Sequence, residues 1–141
     1  MLKLNVIWVF NPTTDKVLMC KRQKDPYKGL YNLVGGKIEP GENGLTAAYR
    51  ELQEETGITD INLTHLMDMT YYPCLSKGHF KIEVYVGKLN RDTPVQGDEK
   101  ELVWMDISEN FFDMTRFAGE GCLGHIYNTI LKYVRSGILH L

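Results

Sequence analysis

The sequence predicts an α/β fold of the α+β kind, with a mixed, curved sheet lying between helices. Three observations carry this. Period-two runs at Leu2 to Phe10 and Phe80 to Leu89 read as strands. Between them, Asn43 to Gly57 bounds a helix of about four turns. A second helix spans Cys122 to Arg135, with Leu123, Ile126, Tyr127, Ile130, Leu131 and Val134 recurring on one face. Strands, a helix, more strands and a helix pack as a sheet covered on both sides.

In order along the chain, Leu2, Leu4, Val6, Trp8 and Phe10 face one side of the first strand. Lys3 and Asn5 start the other side, but Ile7 and Val9 continue it apolar, so this strand is central and covered on both faces. Asn11 to Asp15 is a turn by composition, and Val17 to Arg22 is a second strand completing a hairpin. After a loop from Asp25 to Gly29, Tyr31 to Val34 is a short strand. The Gly35-Gly36 pair and the Pro40-Gly41 turn then mark a loop. Asn43 caps the helix and Gly57 stops it.

Beyond the helix, Ile61 to Thr70 is a strand with Ile61, Leu63, His65, Met67 and Met69 on one side. It ends at Tyr71 to Cys74, and Leu75 to Gly78 is a loop. In the strand Phe80 to Leu89, Phe80, Ile82, Val84 and Val86 point inward and Lys81 and Glu83 outward. Asn90 to Lys100 is a polar loop, Glu101 to Ile107 a strand, and Ser108 to Met114 a short helical turn capped by Ser108.

The chain has 141 residues, 43% of them hydrophobic and 24% charged, which suits one soluble domain with a real core, residues 1–141. A net charge of −2 supplies no basic field for DNA. No apolar run reaches the roughly 18 residues of a membrane span. Cys20, Cys74 and Cys122 are odd in number and far apart, which argues against a disulfide framework and for a reducing, cytoplasmic setting. The four histidines are scattered, and none pairs with Cys or Asp at catalytic spacing. A monomer or homodimer is expected.

The informative stretch is GGKIEPGENGLTAAYRELQEETGI, Gly35 to Ile58. At about 100° per residue, Leu45, Ala48, Tyr49, Leu52 and Thr56 fall on an apolar arc. Glu51, Glu54 and Glu55 fall on the neighbouring arc, with Arg50 at its edge and Ala47 among them. A solvated, salt-bridged face fits this arc poorly. Arg50 with Glu54 is its one opposite-charge i,i+4 pair, whereas Glu51 and Glu55 repel. Three converging carboxylates need a compensating charge, and hard divalent cations prefer oxygen ligands while sharing themselves with substrate phosphates. Metal binding at this helix is the expectation.

The spacing is Gly36, five residues, Glu42, seven residues, Arg50-Glu51-Leu52, one residue, Glu54-Glu55, one residue, Gly57-Ile58. It resembles the Nudix box at all nine fixed positions over 23 residues. The resemblance implies a Nudix hydrolase, an α/β/α sandwich that cuts a nucleoside diphosphate linked to another group. It also implies Mg²⁺, with Mn²⁺ as an alternative, held by Glu51, Glu54, Glu55 and the carbonyl of Gly36, with Glu42 and Arg50 bracing the loop against the helix. Several relatives carry a further acid for metal or water in the position of Glu99; Asp98 and Glu101 compete for that role, as does a plain surface loop.

Tyr31-Asn32 before the glycine pair and Lys37 after it resemble the arrangement in oxidised-purine nucleoside triphosphate hydrolases (MutT-like). In those, the residue matching Asn32 reads the base and a first-strand residue near Asn5 assists. The sequence departs from them in having Tyr31 for Trp and in lacking a Trp-Pro-Asp-Asp segment near Phe111 to Phe117. Arg22 is a candidate phosphate contact. A nucleoside triphosphate is therefore the first expectation for the small-molecule partner. ADP-ribose, another nucleoside diphosphate sugar or a dinucleoside polyphosphate is the second, with Pro73 as its pointer. A non-catalytic nucleotide-binding or RNA-binding module ranks below both, because every box carboxylate is present.

Overall fold

In the computed structural model, residues 1–75, 78–96 and 101–141 are described. The expected Leu75 to Gly78 loop falls partly outside them, and Asp98 and Glu99 fall entirely outside. The elements are β1 (Leu2–Phe10), β2 (Lys16–Lys21), β3 (Tyr31–Lys37), α1 (Gly44–Thr56), β4 (Thr64–Tyr71), β5 (Phe80–Lys88), β6 (Glu101–Asp106) and α2 (Cys122–Arg135). The strands form one sheet in the order β4-β5-β1-β3-β2-β6. β1 and β5 run parallel and the other neighbours antiparallel, so the sheet is mixed.

A helix covers each face. Trp8, Phe10, Val84 and Val86 meet Leu123, Ile126 and Ile130 of α2 in one core. Ile7, Val9 and Tyr85 meet Ala48 and Leu52 of α1 in the other. The even and odd residues of β1 thus feed opposite cores, which is why that strand is apolar on both sides near its end. This is an α/β/α sandwich. No helix among the described residues is long and apolar enough to cross a membrane.

Several expectations need correction. β1 and β2 are not a simple hairpin: they touch only at Phe10↔Val17, then diverge, and β3 inserts between them. The glycine pair is not a loop but part of β3, with Gly35 opposite Val6 and Gly36 opposite Asn5. β4 begins at Thr64, and a bulge between His65 and Met67 shifts its register. Ile61 and Leu63 therefore join the α1 core while Met67 and Met69 lie against the α2 core, since a bulge re-aims the side chains that follow it. Residues 108–114 form turns rather than a helix; Ser108 donates its N–H to Asp106 instead of capping, and Asn110 and Asp113 accept from the turn amides. In α1, Leu45 is exposed, whereas Ala47 and Ala48 are both buried.

Candidate metal and phosphate site

The acidic helix is fixed at both ends by its own sequence. Asn43 Oδ1 accepts from the N–H groups of Leu45 (2.9 Å) and Thr46 (3.3 Å), and Gly57 ends the helix in the left-handed region at φ 80°. Leu52 and Ala48 bury the apolar stripe, and Tyr49 Oη accepts from Leu63 N–H at 2.9 Å, tying α1 to the segment before β4. α1 consequently lies across β3, β1 and β5.

This laying-down brings Glu51 and Glu55 onto the glycine pair. A Cβ at Gly36 would stand 2.4 Å from the Glu51 carboxyl carbon, so only glycine admits that carboxylate. Glu55 Oε2 accepts from Gly35 N–H at 3.1 Å. Glu54 points more freely into solvent. Desolvation raises the Glu51 pKa, and Glu55 and Glu54 add to it, while Arg50 opposes the shift.

Arg50 holds the arrangement together. Its Nε and Nη2 grip Glu42 in a two-pronged bond (2.8 and 2.9 Å), Nη2 also donates to the Lys37 carbonyl (3.2 Å), and Nη1 reaches Glu51 (3.1 Å) and Glu54 (3.2 Å). Glu42 also accepts from Glu39 N–H, and the guanidinium holds its carboxyl down at about 2.

Asn5 is buried beneath α1. Its Oδ1 accepts from Gly36 N–H at 2.9 Å, and its Nδ2 has no protein partner. Asn32 faces the same side of the sheet as Val34, with its Oδ1 bound to the N–H of Leu33 at 2.8 Å, which leaves Nδ2 for other contacts. Arg22 Nε donates to the Pro26 carbonyl at 2.7 Å and closes the loop that precedes β3. The Lys37 side chain is exposed at the far end of β3. Glu101 is exposed at the start of β6. The structure thus gathers Gly36, Glu51, Glu54, Glu55, Arg50 and Asn5 in one place.

The donor set suits a hard cation. Three carboxylates and the Gly36 carbonyl are the oxygen ligands that Mg²⁺ or Mn²⁺ takes, and a desolvated Glu51 beside two further acids is a charge that a cation relieves. A separate group, His65, Asp68 and Glu83, also has its ligand-type atoms within 4.8 Å of one another. There the Lys81 ammonium already stands 3.4 Å from Asp68 and 3.7 Å from Glu83, so the cation of that cluster is a lysine.

Sequence reasoning missed Glu83. It is not outward but almost fully buried, accepting from Tyr85 Oη at 2.6 Å beneath the first residue of α1. The one signal was Tyr85, an aromatic on the face that Lys81 and Glu83 seemed to give to solvent.

A mixed sheet between two helices, with a capped acidic helix laid over a glycine strand, defines a Nudix-type sandwich. The NUDIX domain profile matches residues 1–121. The chain belongs to the NUDIX family. An ADP-ribose pyrophosphatase of Methanocaldococcus jannaschii is 46% identical over 44 residues, covering 31% of this chain and 26% of that protein, so the match spans about a quarter of the relative. The oxidized purine nucleoside triphosphate hydrolase of Danio rerio is 26% identical over 106 residues, covering 75% of this chain and 67% of the relative. In shape, the NUDIX domain of Shewanella oneidensis NrtR, solved with ADP ribose, superposes with TM-score 0.74 at 17% identity over 95% of this chain and 88% of that one.

Proposed function

We propose that this chain, as one domain over residues 1–141, hydrolyses the diphosphate linkage of a nucleoside triphosphate with the help of Mg²⁺ or Mn²⁺. The observation that carries the reading is the seating of Glu51 and Glu55 on Gly36 and Gly35. Glu51, Glu54, Glu55 and the Gly36 carbonyl would hold the metal. When bound, such an ion neutralises phosphate charge and makes a water acidic enough to attack phosphorus.

The chain's own groups do the remainder. Arg50 fixes the rotamers of Glu51 and Glu54 and ties the loop carrying Glu42 to the helix, so the carboxylates are oriented before substrate arrives. The Gly35 N–H orients Glu55. A carboxylate of this arc accepts the proton from the attacking water. Glu99, outside the described residues, remains a proposed further acid. Arg22 and Lys37 are proposed to meet the nonreacting phosphates.

A purine base is favoured for the nucleoside by the likeness of Asn32 and Lys37 to the oxidised-purine hydrolases and by the Danio rerio relative. The second reading, ADP-ribose or another nucleoside diphosphate sugar, is favoured by the box-length match to the archaeal pyrophosphatase. Incubation with Mg²⁺ and a nucleotide panel, with products resolved by mass, separates them. Pyrophosphate and a nucleoside monophosphate are expected from a triphosphate, whereas AMP with ribose phosphate would establish the second reading. Turnover undiminished in Glu51→Gln and Glu55→Gln would sink both.

A further inference from the structure

We propose that Glu83 is a positioning residue for the acidic helix, setting where α1 lies across the sheet so that Glu51 and Glu55 meet the glycine pair. Register places Gly36 of β3 opposite Asn5 of β1, Asn5 beside Glu83 of β5, and Glu83 opposite Asp68 of β4. These four residues form one row across the sheet on the α1 side. Helix α1 touches this row twice. At one end Glu51 of the helix enters the space left by Gly36 of the sheet. At the other, Glu83 of the sheet enters the space left by Gly44, the first residue of the helix. A Cβ on Gly44 would stand 2.0 Å from Glu83 Oε1 and 2.6 Å from Tyr85 Oη. Each contact is thus a carboxylate received by a glycine, with the roles of helix and sheet exchanged.

The spacing of the two contacts is commensurate. Gly44 and Glu51 are seven residues apart, two turns on one helix face or about 10.5 Å. β5 and β3 are separated by β1 alone, two strand spacings or about 9.6 Å. The helix therefore reaches both glycine contacts only at one offset and one rotation.

Glu83 is held hard enough to serve as this stop. Tyr85 donates to its Oε1 at 2.6 Å, and Lys81 lies 3.7 Å from its Oε2 while also reaching Asp68 at 3.4 Å. Asp68 is bonded to His65, whose ring stacks on Tyr85 with centroids 4.7 Å apart. The network is closed on itself, and a carboxylate beneath a helix N-terminus also complements the helix dipole. Asn5 completes the row, its Oδ1 fixing Gly36 N–H.

The inference rests on the reading of Glu51 and Glu55 as the working carboxylates, but its test does not need turnover. Amide exchange at Gly35 reports whether Glu55 remains seated. Glu83→Gln keeps the shape and removes the charge, and Gly44→Ala pushes the helix off the same contact. Both variants are expected to exchange the Gly35 amide about tenfold faster relative to the slowest core amides, which report global unfolding. With an active substrate they are expected to lower kcat on the order of tenfold to a hundredfold at nearly constant KM, and to weaken Mn²⁺ binding measured without nucleotide. A Gly35 amide and Mn²⁺ affinity identical to wild type in Glu83→Gln would overturn the proposal, as would a loss of melting temperature alone. A wild type that binds no Mn²⁺ yet loses Gly35 protection in Glu83→Gln would instead overturn the metal reading and keep the positioning one.

Discussion

At the level of single residues, Glu42 and Glu51 respond to burial and charge in opposite directions. Glu42 is pulled from 4.5 to about 2, chiefly by its bonds to Arg50. A lowered carboxyl pKa stabilises the fold above the unfolded value, and the gain is lost as pH falls through the folded value. The difference in melting temperature between wild type and Glu42→Gln should therefore be full above about pH 4.5 and vanish towards pH 2; a difference independent of pH across that window would refute the pairing. Glu51 is shifted upward, first by desolvation. Its ionisation costs nothing below the ordinary carboxyl value, costs stability as pH rises from there to the raised folded value, and costs a constant amount above that. Glu51→Gln should then melt higher than wild type at neutral pH without metal, with the advantage shrinking in acid. Asn32 is a quieter case: its Oδ1 already accepts from Leu33 N–H, which leaves Nδ2 and the second lone pair of Oδ1 to meet a base. Asn32→Ala is expected to lower kcat/KM for a purine nucleotide by about 1–3 kcal/mol and leave pyrimidines little changed. Equal losses on both would mean that Asn32 only shapes β3.

Among the elements, those whose order is local were legible in the sequence. β1 and α2 have the expected bounds, and Asn43 and Gly57 end α1 through bonds within a few residues of the chain. The box residues followed from the same local spacing. What depended on partners far along the chain was not legible. β3 separates β1 from β2 because its register with both is set by packing on two cores, which no hairpin signal reports. Gly35 and Gly36 carry turn chemistry, yet they extend in a strand because neighbours occupy the space where side chains would stand: the Asn5 backbone at one and Glu51 at the other. The bulge in β4 sent Met67 to the face opposite Leu63, an exchange invisible to a period-two count. Gly36→Ala tests the close approach directly. With its Cβ 2.4 Å from the Glu51 carboxyl carbon, Glu51 must swing away, so activity and metal affinity should fall by orders of magnitude while far-ultraviolet circular dichroism is retained. A variant near wild type would mean that Glu51 has room to yield.

For the molecule as a whole, the sheet divides its labour between its faces. The α2 side is the larger apolar core, built on Trp8, Phe111, Phe117, Leu123, Ile126 and Ile130, with Tyr127 stacked on Trp8 at 5.2 Å. The α1 side is also packed, but it carries the carboxylates along its rim. Metal binding should therefore couple to global stability through the rim and not through the α2 core. A ligand bound only by the folded chain adds about 2.7 kcal/mol at a hundredfold excess over Kd. Wild type should accordingly melt higher as Mg²⁺ or Mn²⁺ is raised. Ile126→Ala removes a fully buried side chain and should cost about 2–5 kcal/mol, yet keep the same increment per decade of metal, because it lies across the sheet from the acids. Glu51→Gln should behave in reverse, holding or gaining stability without metal and losing the increment. Calorimetry on the three proteins over a metal series separates these outcomes, and an increment that disappears in Ile126→Ala but survives in Glu51→Gln would place the cation elsewhere on the molecule.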